Sequence, residues 1–301
     1  MQPATRQRIA LALLVVTPGM WSANYIVARS AIGVIEPHML ALLRWTLALA
    51  LMLVFAGRTL VSNYGAWRAE WPRMFVLGAL GMWVCGAFVY IGAETTVAVN
   101  ISLLYAIAPV MIAAGSAVFF ADRLSTVQAS GVALSLSGTL FVLARGSWDN
   151  LASVRFTIGD GWILIAVVSW TAYSLLLRKW PSVLDPFSRL AAICAGGIVV
   201  LVPFTVVEAA VSGLPDFASP HVWLLALVVA LLPGFGAYQA YSYMQRELGP
   251  ARTGLVLYLG PLWAAVVAWW LLDEPPQWFH IAGAAMILPG IYLATRAPKR
   301  R

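Results

Sequence analysis

Apolar residues gather in this chain as long runs, broken by short polar turns. Ten runs can be drawn, over 9–28, 38–56, 74–92, 99–120, 127–144, 161–178, 190–210, 222–243, 253–272 and 278–295. At 1.5 Å per residue, a run of about 20 residues makes a helix about 30 Å long, the thickness of a bilayer's hydrocarbon core. Backbone amides in lipid find no water, so a helix that satisfies them internally is the economical form. The pattern predicts an all-α integral membrane protein with ten transmembrane helices.

The polar punctuation repeats. Pro109 returns as Pro261, Asp122 as Glu274, Gly131 as Gly283 and Gly138 as Gly290, each at an offset of 152. Near the starts of the halves the offset is 149, with Trp21 matching Trp170, Arg29 matching Arg178, and Glu36-Pro37 matching Asp185-Pro186. The chain therefore divides into a first five-helix repeat over 9–144, a link over 145–160, a second repeat over 161–295 and a basic tail over 296–301. An odd number of spans per repeat makes the second copy enter the membrane upside down, giving two inverted five-helix repeats, a common build among transporters. The counterpart of the first span in the second half also argues against reading the N-terminal run as a cleaved signal.

Composition supports this and narrows it. Apolar residues make up 61% of the chain and charged residues 10%, against roughly 25% charged in soluble domains. The net charge of +7 is sided. If the N-terminus is cytoplasmic, the inner segments carry most of the arginines and lysines, from Arg6 and Arg8 through Arg178, Lys179 and Arg189 to the tail. The outer segments then carry only Arg29, Arg145 and Arg155. Both termini are expected in the cytoplasm of a bacterial inner membrane. Because the charge follows topology, no basic face for nucleic acid remains. Cys85 and Cys194 fall in the middle of spans and suggest no disulfide, and His38, His221 and His280 lack ligand spacing, so no metal or other cofactor is expected. No G-x-x-x-x-G-K-[ST], H-E-x-x-H or G-x-S-x-G occurs, which removes ATP-driven pumping and the common hydrolases.

Polar and aromatic residues inside the spans are the candidate chemistry. Trp21, Asn24 and Tyr25 follow a Pro18-Gly19 kink in the first span, and Trp170 and Tyr173 repeat part of that pattern in the sixth. Trp83, Ala87, Tyr90 and Glu94 share a helical face, as do Gly234, Tyr238, Tyr241 and Gln245. Asn100, Ser102 and Tyr105 precede Pro109, while Thr253, Gly254 and Tyr258 precede Pro261. Tryptophan and tyrosine in spans commonly serve packing or interfacial anchoring. Their duplication, mid-span and beside amides, points instead to a cavity wall. Arg44, in the second span, is either an anchor reaching the interface or a clamp for a substrate carboxylate; its counterpart is Ile193. Glu94 is either a solvated carboxylate or a proton or cation site at a gate. The paired glycines of the fifth and tenth spans allow close helix contact within the chain, or between two copies in a homodimer.

With these residues in place the chain resembles the drug/metabolite transporter superfamily, specifically its ten-span exporters with two EamA-type repeats. The matching features are Trp21, Glu36-Pro37 then Arg44, Thr96 to Pro109 with Asn100, Asp122-Arg123-Leu124 before Gly131 and Gly138, Gly159-Asp160, Trp170 with Tyr173, and Asp273-Glu274-Pro275 before Gly283. The resemblance implies a central cavity shared by the repeats and export of amino acids, related metabolites or drugs. Asp122 stands where the family usually has glutamate, and 233–243 departs from its common wording, which leaves the substrate open. The leading expectation is a non-enzymatic exporter of small amphipathic metabolites, amino acids first, working by alternating access. Trp21, Asn24, Tyr25, Trp83, Tyr90, Asn100, Tyr105, Trp170, Tyr173, Tyr238 and Tyr241 are the candidate substrate contacts, with Arg44 and Glu94 as coupling or anchor candidates. An organic-cation efflux carrier and a passive channel are the alternatives.

Overall fold

A computed structural model describes residues 3–272 and 275–295. Ten helices are long and apolar enough to cross a membrane: α1 (Thr5–Ser30), α2 (Pro37–Ser62), α3 (Tyr64–Thr95), α4 (Ala98–Phe120), α5 (Thr126–Leu143), α6 (Ile158–Lys179), α7 (Pro186–Ser212), α8 (Pro220–Leu248), α9 (Pro250–Val267) and α10 (Trp278–Thr295). No strand occurs among the described residues. Each helix overlaps one of the ten apolar runs over most of its length. The expected turn at Asp273 and Glu274 and the tail 296–301 lie outside the described residues.

The connection between α2 and α3 is shorter than the sequence suggests. Residues 57–73 read as a polar link, but α2 continues to Ser62 and α3 starts at Tyr64. The Trp67 indole is buried and donates to the Leu60 carbonyl at 2.9 Å, tying the two helices together. Trp67, in the stretch between two apolar runs, is thus a hairpin clasp. Its indole needed an acceptor, and the carbonyls at the end of α2 supply one.

The starts of α2 and α7 carry the same acid-proline pair but are capped differently. Asp185 accepts hydrogen bonds from the Phe187 and Ser188 amides at 2.9 and 3.2 Å, the usual N-cap arrangement. Burial raises its carboxyl pKa, yet these hydrogen bonds outweigh it and hold the group below the usual carboxylate range. Glu36 caps nothing with its side chain. Glu208 reaches across from α7 instead, accepting from the His38 and Met39 amides at 3.0 and 2.9 Å while meeting the His38 ring at 2.8 Å.

Four helices lose regular geometry at corresponding places. α3 widens into π turns over Ala79–Val84, and α8 does so over Ala230–Ala237. α4 breaks between Tyr105 and Ala108, and α9 tightens into a 3-10 turn over Leu255–Leu259. Pro109, Pro233 and Pro261 explain three of these, because proline lacks an amide hydrogen and its ring displaces the carbonyl four residues back. α3 has no such proline. There the loosened carbonyls of Leu80, Gly81 and Met82 accept from Ser169, Tyr238 and Trp45 at 3.0, 2.7 and 2.9 Å, so α6, α8 and α2 hold the turn open.

α5 and α10 form the tightest pair, and the recurrent glycines face each other inside the chain. A Cβ placed on Gly131 would lie 2.5 Å from the Gly290 carbonyl oxygen, and one on Gly138 would lie 3.0 Å from that of Gly283. Nothing larger fits without separating the helices. Apolar side chains such as Val54, Val118 and Val211 cover the outside.

The two ends of the bundle are chemically distinct. At one, Arg178 pairs with Asp122 at 2.9 Å and the Val183 amide donates to Glu70 at 3.0 Å. At the other, Arg29 donates to the Thr96 carbonyl at 3.4 Å, and the Thr96 hydroxyl donates to Asp160 at 2.5 Å. These are called the Asp122 end and the Asp160 end below. Thr96, between α3 and α4, thus links the last turn of α1 to the first turn of α6.

Candidate functional site

A central cavity of about 60 Å³ lies between the halves, lined by Trp21, Asn24, Tyr25, Arg44, Cys85, Val89, Tyr105, Trp170, Tyr238 and Leu257. Its wall is mostly aromatic. Trp21 meets Trp170 edge to face at 5.5 Å between ring centroids, and Trp170 stacks on Tyr173 at 5.4 Å and packs on Tyr241 at 4.7 Å. Such edge and offset contacts each add about 0.5–1.5 kcal/mol beyond area burial, so the wall is firm but separable.

Arg44 supplies the charge. It is 3% exposed, and its Nη1 donates to Asn24 at 3.1 Å and to the Tyr90 hydroxyl at 3.3 Å. Tyr90 in turn donates to the same Asn24 oxygen at 2.8 Å. The guanidinium also lies 4.6 Å from the Trp45 ring centroid and 5.8 Å from that of Tyr238. Among the described residues no carboxylate pairs with it, and its Nε has no partner. A buried cation without a counter-ion is costly, and a site that keeps one is poised for an anionic group.

Two further groups beside the cavity have unmet hydrogen-bonding capacity. The Trp170 indole N–H and the Tyr173 hydroxyl are buried and unpartnered. Together with Arg44 Nε, the unmet groups are chiefly donors. Tyr238 differs: its hydroxyl donates to Gly81, so it offers only its ring.

Two family-model matches cover nearly the whole chain, over residues 8–144 and 157–296, both to the EamA-like transporter family. The chain belongs to the EamA-like transporter family. An uncharacterized transporter of Archaeoglobus fulgidus is 26% identical, with 94% of this chain and 96% of that protein aligned. A protein of Streptantibioticus cattleyicolor named "Probable terminal-alkyne amino-acid exporter" is 29% identical over 95% of this chain and 92% of its own length. A solved crystal structure at 19% identity covers 98% of each chain with a TM-score of 0.75, a likeness in fold.

For this EamA-like transporter the expected contacts sort into three groups. Trp21, Asn24, Tyr25, Tyr105, Trp170 and Tyr238 line the central cavity, with Arg44 among them. Tyr90, Tyr173 and Tyr241 stand immediately behind that wall. Trp83 and Asn100 are elsewhere. Trp83 stacks on Phe204 of α7 at 4.0 Å, because it sits within the π turns, whose extra residue rotates it off the Tyr90 face. Asn100 donates to Asp160 and to the Arg155 carbonyl, both at 3.0 Å, and so fastens the inter-repeat link at the Asp160 end. Glu94 is exposed near that end. Cys85, Val89 and Leu257 were not expected in the wall. Their apolar character carries no signal in sequence, and only the helix rotations bring them inward.

Proposed function

We propose that this transporter carries small amphipathic metabolites bearing a carboxylate, amino acids first, across a bacterial inner membrane by alternating access of two inverted repeats. The observation that supports it is the buried, unpaired Arg44 guanidinium beside an aromatic wall with unmet donors and no lining carboxylate. A carboxylate would take the guanidinium in a charge-assisted hydrogen bond, and an apolar side chain would lie against Trp21, Trp170 and Tyr238. An organic cation would meet the same rings but also the arginine, which repels it. The name of the Streptantibioticus cattleyicolor relative agrees with an amino acid as cargo and with export. The Asp122 end, rich in arginine, is assigned to the cytoplasm by the positive-inside rule, with both termini there.

At about 60 Å³ the cavity is well below the roughly 300 Å³ of a typical ligand pocket, so binding requires the rings to part. The test is counterflow in liposomes with labelled neutral, aromatic and basic amino acids beside a quaternary ammonium compound. Saturable amino-acid exchange that Arg44→Ala strongly reduces is the expected result. Exchange of the quaternary ammonium compound alone would overturn the carboxylate reading, and unsaturable flux would move the protein to the channels.

A further inference from the structure

Cavities trace a line through the bundle, and it is interrupted at one place. Toward the Asp160 end, a second small cavity of about 40 Å³ shares Trp21, Tyr25, Tyr105 and Leu257 with the central one. It shares Ser102, Pro261 and Ala264 with a cleft of about 820 Å³ that opens at that end. Toward the Asp122 end lies another cleft, of about 760 Å³, whose lining has no residue in common with the central cavity.

Tyr241 fills the gap between them. Its ring packs against Trp21 and Trp170, at 5.7 and 4.7 Å, which line the centre. Its hydroxyl shares a hydrogen bond of 2.7 Å with Ser174 on α6 and accepts one of 3.1 Å from Gln245, which lines the Asp122-end cleft. The side chain is fully buried, and the Gln245 Oε1 atom beside it has no partner. α8 widens into π turns over Ala230–Ala237 and regains regular α-helical turns at Tyr238, so the segment carrying Tyr241 follows a stretch already out of α register.

We propose that the Tyr241–Ser174–Gln245 cluster is the gate between the central site and the Asp122-end cleft, closed in this conformation while the centre communicates toward the Asp160 end. The proposal rests on the transport reading above and adds which residues part when the carrier turns. Tyr241, expected as a substrate contact, becomes a gating residue. Ser174 ties the ring to α6 of the same half, and Gln245 passes hydrogen bonding on to the cleft as the ring swings away.

The native thiol at Cys85 makes this testable without a substrate, since it lines the central cavity. Cys194 is replaced by Ala, leaving Cys85 as the sole thiol of the two in the chain. The rate of Cys85 modification by a membrane-impermeant methanethiosulfonate is measured in right-side-out and inside-out vesicles. Ser182→Cys in a Cys85→Ala, Cys194→Ala background reports which side the Asp122-end cleft faces. Tyr241→Phe and Ser174→Ala are each expected to raise Cys85 labelling from that side about three- to tenfold, the shift that losing one or two hydrogen bonds produces. Tyr243→Phe, on the same helix but with its hydroxyl turned to the exposed Arg6 carbonyl, is expected to leave labelling from that side unchanged. Equal labelling of the wild type and both gate variants from the Asp122 side, or the same rise with Tyr243→Phe, would overturn the proposal. Should Tyr241→Phe fail to assemble, Ser174→Ala decides alone. Side-specific labelling without amino-acid counterflow would remove the cargo assignment and keep the gate; counterflow without it would do the reverse.

Discussion

Tyr90 on α3 and Tyr241 on α8 occupy corresponding places in the two halves, at an offset of 151, and each bonds a short polar side chain on the first helix of its own half. Tyr90 bonds Asn24 and Tyr241 bonds Ser174. The clusters part in what completes them. In the first half it is Arg44, a cation facing the cavity; in the second it is Gln245, a neutral amide facing a cleft. The position matching Arg44 is Ile193. A duplicated scaffold thus supplies two equivalent tyrosine sites, and one added charge distinguishes the first from the second. On the reading proposed above, the first recognises cargo, and the second, without a charge to solvate, opens and closes at modest cost.

The comparison breaks first at Arg44. Arg44→Ala should lower kcat/KM for amino-acid counterflow about 100-fold, since hydrogen bonds to a charged group contribute about 1.5–3 kcal/mol. Arg44→Lys should recover only part of this, because an ammonium keeps the charge and loses the planar fork. Loss of fewer than about three-fold with Arg44→Ala would make the arginine an anchor, and the two clusters would then differ in nothing that matters for cargo.

Removing the hydroxyls sharpens the contrast next. Tyr241→Phe leaves the buried Ser174 hydroxyl and the Gln245 amide without the partner they share, and should destabilise the protein by about 1–3 kcal/mol. Tyr90→Phe should do less, because Asn24 still accepts from Arg44 at 3.1 Å. Thermal unfolding in detergent would show the larger fall in Tm for Tyr241→Phe. The reverse order would mean that the arginine cluster, not the neutral one, bears the mechanical load.

The smallest difference concerns the helix starts. Asp185→Ala removes a local cap and should cost about 1 kcal/mol. Glu208→Ala removes two amide partners and the His38 contact that ties α2 to α7, so a slightly larger fall in Tm is expected. Equal effects would show that capping from the neighbouring helix adds no link between the halves.

Much of the architecture was legible in the chain, for specific reasons. A lipid-spanning helix needs about 20 apolar residues whatever it packs against, so the runs located all ten helices, though the end of α2 and the start of α3 lie six and ten residues beyond theirs, inside the stretch read as a link. Pro109 and Pro261 announced the irregular turns in α4 and α9, because proline acts through its own covalent geometry. The duplication drew attention to Trp21, Trp170 and Tyr238, and these meet in the cavity wall. Gly131, Gly138, Gly283 and Gly290 were readable as contact points, though whether they pack within the chain or between copies was not.

Tertiary structure decided the rest. The phase of a helix beyond a π turn depends on donors from other helices, here Ser169, Tyr238 and Trp45, so no pattern within α3 could say that Trp83 leaves the Tyr90 face. Asn100 carries the same amide as Asn24, yet one fastens a loop and the other faces the centre, according to whether Asp160 or Arg44 lies beside it. By itself the sequence determined a duplicated ten-helix membrane protein with an arginine in its second span, because length, apolarity and repetition are properties of the chain alone. Which groups stand unpaired around one cavity, and which tyrosine packs behind its wall, are relations between helices far apart in sequence, and only their packing sets those distances.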